Sequence, residues 1–123
     1  MVTMALNQAA LDELRALDPD GSAGLLAQLI NSYLGDAPAQ VSQIKAAVAA
    51  GDSAGLTRHA HSLKSTSLSL GATRVGELAR ALEMAGKNNA LADCPALVES
   101  LATEYALAQH GLRAEIAIAP KSA

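Results

Sequence analysis

Apolar residues fall at Leu26, Leu29, Ile30, Tyr33, Ala37, Val41, Ile44 and Val48, in steps of three and four that hold one helical face for several turns. Gly35 and Pro38 interrupt this run on paper. A true break would usually reset the phase, and the phase survives. The pattern therefore predicts one long helix from a Ser22 cap to about Ala50, kinked near Pro38. Two helices split near Asp36 are the lesser option. A stripe of this length needs other apolar faces to pack against.

Four further segments supply them. A short first helix spans about Asn7 to Leu17, with Asn7 as its cap and Leu11 and Leu14 on one face. Asp18-Pro19-Asp20-Gly21 then reads as a turn. Gly51-Asp52 closes the long helix, and Asp52 or Ser53 caps the third, which runs to about Leu70 and stops at Gly71. The fourth starts near Ala72 or Thr73, places Val75, Leu78, Ala79 and Leu82 on one side, and ends near Gly86-Lys87-Asn88. Asp93 caps the fifth, with Pro95 in its first turn and a stripe of Val98, Leu101, Tyr105, Ala108 and Leu112.

The chain has no Phe or Trp and only two Tyr, so Ala and Leu must fill the core. Both are strong helix formers, whereas sheets draw on aromatic and β-branched residues. The expected fold is all-α: an antiparallel four-helix bundle with a short additional N-terminal helix as a lid. One domain is expected over residues 1–123, ordered from about residue 7 to 116, with a frayed tail from Ala117 to Ala123. A net charge of -3 offers no basic footprint for nucleic acid. No apolar run approaches the roughly 18 residues that span a bilayer, and Met1 to Leu6 lacks the pattern of a signal peptide. Cys94 is the single cysteine, so no intrachain disulfide can form. These features point to a cytoplasmic protein without direct membrane contact.

The segment from His59 to Ala72 carries the chemistry. At about 100° per residue, Leu56, Ala60, Leu63, Ser67 and Leu70 cluster towards the core. Thr57, His61, Lys64, Ser65 and Leu68 lie on the opposite side. His61 thus points outward, with Lys64 and Ser65 as its neighbours three and four residues on. A neutral exposed imidazole is a nucleophile near neutral pH. Lys64 can meet the negative charge of a phosphoryl group placed on it. Ser65 is small enough to admit a partner, and Leu68 offers an apolar docking spot. Thr57 and Arg58 flank the site as further candidate partner contacts.

Ala60-His61-Ser62-Leu63-Lys64-Ser65, followed by Gly71-Ala72, resembles the signature of the histidine-containing phosphotransfer (HPt) domains of bacterial phosphorelays. So do Leu82-Glu83, Tyr33-Leu34-Gly35-Asp36-Ala37-Pro38 and Ala49-Ala50-Gly51-Asp52. The likeness runs from about Leu11 to Leu112. Ser65 departs from the glycine that many members carry after the lysine, yet it is still small. The resemblance implies a four-helix bundle with additional short helical structure. It implies that His61 takes a phosphoryl group from a receiver-domain aspartate and passes it to another receiver. It also implies partners: response-regulator receivers and a hybrid sensor kinase. Mg²⁺ and the acidic pocket would belong to the receiver, and this chain would need no cofactor and no metal.

Other residues read more plainly. His59 sits near the edge of the buried face and points nearly opposite to His61, so the two cannot chelate one metal from a regular helix. His110 is a surface residue near a helix end, and Cys94 an ordinary residue near a helix start. Gly71 is first a helix stop. No Walker-type or Gly-rich nucleotide motif is present, so the chain is expected to be a monomeric phosphocarrier without its own kinase activity. Two alternatives stand beside this reading. One is a phosphoacceptor domain of a chemotaxis-type kinase, and the other is a helical adaptor without chemistry.

Overall fold

The structure is a computed structural model that describes residues 6–117; the proposed tail beyond Ala117 lies outside the described residues. Five helices follow one another: α1 (Gln8–Ala16), α2 (Leu25–Ala50), α3 (Ser53–Ser69), α4 (Thr73–Lys87) and α5 (Cys94–Ala117). No strand occurs among the described residues. Contacts run from α2 to α3, from α3 to α4, from α4 to α5 and from α5 back to α2, which closes a four-helix ring, with α1 resting on α2. Short connections make successive helices antiparallel neighbours.

α2 is continuous through Pro38. The proline is exposed, so the carbonyl it leaves without a donor can turn to water. The phase of the apolar run was the better guide than the helix breakers within it. Leu26, Ile30, Tyr33, Ala37 and Ile44 are buried as expected, whereas Leu29 is 36% exposed. The cap of α2 is a correction. The helix starts at Leu25, three residues after Ser22, and Gly24 with φ +65° occupies the cap position. The carboxylate of Asp18 supplies what Ser22 does not, accepting from the backbone N–H of Ala23 (3.2 Å) and Leu25 (3.1 Å). Ser22 is held in the preceding turn by Asp20 (3.0 Å).

α3 and α4 form the most extensive contact in the bundle. Two glycines of α4 allow it. A side chain at Gly76 would collide with Leu68, and one at Gly86 would collide with the Thr57 hydroxyl. The start of α3 therefore lies against the end of α4, and the end of α3 against its start. Asp52 caps α3 by accepting from Gly55 N–H at 2.9 Å.

At the other end, α3 closes at Gly71, whose φ of +79° suits glycine. Gly71 has a second task. Its carbonyl accepts from Asn7 N–H at 2.6 Å, and a Cβ there would come within 2.7 Å of the Asn7 carbonyl. The N-terminal segment is thus seated on the turn between α3 and α4. Asn7 then caps α1 through Ala9 N–H (3.0 Å). Leu11 is fully buried, and Gln8 and Arg15 bind the carboxylate of Glu115 on α5. The short helix is fastened at both ends and belongs to the core. No helix among the described residues is long and apolar enough to cross a membrane.

Leu56, Ala60, Leu63, Val75, Ala79, Leu82, Leu101, Ala108 and Leu112 are at most 1% exposed. With no Phe or Trp to fill space, each leucine carries a large share of the packing. Leu63→Ala should therefore leave a cavity and cost roughly 2–5 kcal/mol. Thermal or urea denaturation checks this, and an unchanged melting temperature would contradict the orientation of α3.

Candidate functional site

α3 has two faces. Leu56, Ala60, Leu63 and Ser67 are fully buried, and Ser67 Oγ meets the Tyr33 hydroxyl of α2 at 2.7 Å. This bond fixes the roll of α3 and turns the other face outward. The His61 side chain on that face is 60% exposed. Arg58 and Ser65 are exposed as well. His59 is half-buried at the edge of the core face.

Lys64 and Thr57 need correction, because α4 lies along one edge of the outward group. The Lys64 side chain is only 23% exposed. Thr57 is half-buried against Gly86 and donates to the Ser53 carbonyl at 2.8 Å. Leu68 is exposed as expected, at 37%, and its side chain also lies over Gly76. A helical wheel fixes directions from one axis but cannot show where a neighbouring helix stands. His110 is exposed, as expected, but α5 continues seven residues beyond it. Cys94 is fully buried in the core.

Glu83, on α4, was not assigned a role from the sequence, and it organises the site. Its side chain is 4% exposed. Its Oε2 lies 2.9 Å from His61 Nδ1 and 3.3 Å from Lys87 Nζ. Its Oε1 lies 2.8 Å from Lys64 Nζ, an ion pair outside the angular limits of a hydrogen bond. A signal for it was present: the carboxyl stands beside the apolar stripe of α4, directly after Leu82 and four residues after Ala79. An acidic residue so placed needs cationic partners.

Burial alone would push the Glu83 carboxyl up. The close contacts of Lys64, His61 and Lys87, with the charge of Lys64, outweigh burial and hold it down at about 2. Glu83 is therefore ionised at neutral pH and can only accept hydrogen bonds. The proton in the contact with His61 must then sit on Nδ1. In the neutral ring this leaves the lone pair on Nε2, and no hydrogen bond among the described residues engages that nitrogen. The carboxylate also stands ready to stabilise positive charge on the ring if Nε2 forms a new bond. The geometry thus presents an oriented, solvent-facing nucleophile with fixed negative charge behind it and ammonium groups at its side.

The architecture and site correspond to a known class. The sequence profile of the Hpt domain family matches residues 28–114, and the chain belongs to that family. Its role is histidine phosphotransfer in two-component phosphorelay signalling, in which HPt proteins exchange phosphoryl groups with receiver domains. The fold is similar to the crystal structure of histidine-containing phosphotransfer protein B (HptB) from Pseudomonas aeruginosa PAO1. The TM-score is 0.84 at 25% sequence identity, over 94% of this chain and 97% of that one. No curated protein sequence matches the chain.

The buried carboxylate gives the bundle a pH dependence. A carboxyl held below its ordinary 4.5 stabilises the fold fully above that pH, and the contribution is lost as pH falls towards 2. Glu83→Gln should cost about 1–3 kcal/mol at pH 7. It should also flatten part of the acid limb below pH 4.5. Glu115, held low by Gln8 and Arg15 against its burial, retains the remainder. Urea denaturation across pH 2–7 checks both effects.

Proposed function

We propose that His61 is the phosphoacceptor and that the chain takes a phosphoryl group from a receiver-domain aspartate and hands it to a second receiver. The observation that carries this reading is the ionised Glu83 on Nδ1, which leaves Nε2 free and facing solvent. In the forward step Nε2 attacks phosphorus, the Nε2–P bond forms, and the P–O bond to the aspartate breaks. The aspartate carboxylate leaves with the electron pair. No proton needs to move: Nδ1 keeps its own, and the ring becomes cationic beside Glu83. The reverse step regenerates the neutral ring. Lys64 reaches Glu83 Oε1 at 2.8 Å from one turn beyond His61, where it can turn to the phosphoryl oxygens.

Electrostatics favours an acidic partner. The α3–α4 pair, residues 53–87, carries Arg58, Lys64, Arg74, Arg80 and Lys87 against Glu77 and Glu83, although the whole chain is at -3. The acidic phosphorylation pocket of a receiver, which also holds the Mg²⁺, is of complementary charge. Arg58, Ser65, Leu68 and the rim of Thr57 surround His61 as the docking surface. In this reading the chain brings no cofactor of its own, has no kinase activity and acts as a monomer in the cytoplasm.

His61→Gln should fold with stability near that of the wild type and take up no phosphoryl group from a phosphorylated receiver, in the absence of any kinase or ATP. His59→Gln should retain uptake. Transfer of radiolabel from the receiver measures both, and normal labelling of the His61 variant would refute the assignment.

A further inference from the structure

Lys87 ends α4, where a basic residue ordinarily serves the helix terminus and a carboxylate four residues back. Its position suggests more. The ammonium contacts Glu83 Oε2, the same oxygen that accepts from His61 Nδ1. It therefore stands within two hydrogen-bond lengths of the imidazole. Gly86 brings this turn directly against Thr57 of α3, one helical turn before His61, and against Ser53 a turn earlier. Lys64 reaches the same carboxylate from α3, on its other oxygen. Two ammonium groups thus share one carboxylate beside the exposed nucleophile. One of the two charges is unmatched before any anion arrives. The Lys87 side chain is 54% exposed, so it can turn away from Glu83 without leaving water.

We propose that Lys87 is a second phosphoryl-binding cation of this site, which meets the group carried on His61 from the α4 side while Lys64 meets it from α3. The proposal rests on His61 as the phosphoacceptor. A phosphoryl group on Nε2 is dianionic near neutral pH and offers three acceptor oxygens. It competes with Glu83 for both lysines. Glu83 keeps its bond to Nδ1–H, so the ring stays oriented while the cations shift forward. Lys87 makes no bond to phosphorus.

Phosphoramidate separates this role from docking, because it needs no protein surface. In that reaction Nε2 forms its bond to phosphorus, the P–N bond of the donor breaks, and ammonia leaves with the electron pair. The experiment compares wild type, Lys87→Gln and Lys87→Arg, each checked for folding by circular dichroism. The rate of labelling by phosphoramidate and the ³¹P-detected pH titration of the phosphohistidine are both recorded. A cation beside the phosphoryl group lowers the pH at which it takes its second charge. A residue that only supports the helix does not move that titration. Lys87→Gln should shift the titration upward and slow labelling about 2- to 5-fold, the range one partly exposed ion pair supplies. Lys87→Arg should restore both. A folded Lys87→Gln variant with unchanged titration and labelling would overturn the proposal. Absence of any phosphohistidine signal in the wild type would instead overturn the assignment of His61 on which it rests.

Discussion

The carboxylate of Glu83 lies in the seam between α3 and α4, out of water, and an ion in that position is tolerated only with its charge answered. Three side chains answer it: Lys64 and His61 from α3 and Lys87 from its own helix. The arrangement binds the two helices together at the level of the histidine. It also decides the chemistry. An ionised carboxylate takes the Nδ1 proton as its hydrogen-bond donor, and the nucleophilic nitrogen is then the one that faces solvent. Packing, charge and reactivity meet in one side chain.

The bundle is built to hold that seam closed. Gly76 and Gly86 let α4 lie against α3 at two points ten residues apart, with Glu83 between them. On its opposite face α3 is buried against the core and keyed by the Ser67–Tyr33 contact. These constraints prevent the helix from rolling, so His61 is presented at a fixed angle. The turn at Gly71 and the segment at Asn7 lock the far end of the α3–α4 pair. A nucleophile on a rigid helix needs little reorganisation when a partner arrives, which favours transfer without elaborate catalytic apparatus.

Much of this was legible in the sequence. The stripes of α4 and α5 and most of that of α2 are buried, because apolar spacing of three and four has few other solutions in a chain poor in aromatic and β-branched residues. His61 was placed correctly, since Leu63 and Ala60 fix the buried face of its own helix. Lys64 and Thr57 were placed too far outward, because the position of α4 depends on glycines twelve or more residues away. The Asp18 cap was missed for a similar reason: its carboxylate reaches across a turn to N–H groups five and seven residues on. Glu83 escaped for the same cause on a larger scale. Its partner lies 22 residues earlier, and only the packed helices bring the two together.

The central claim is that Glu83 holds the proton on Nδ1 and so commits His61 to react through Nε2. ¹⁵N-correlated NMR of the imidazole, recorded before and after phosphorylation, tests it directly. In the free protein at neutral pH the neutral ring should carry its proton on Nδ1. In the phosphorylated protein the ³¹P–¹⁵N coupling should fall on Nε2, with Nδ1 still protonated. A free ring protonated on Nε2, or phosphorus coupled to Nδ1, would contradict the account.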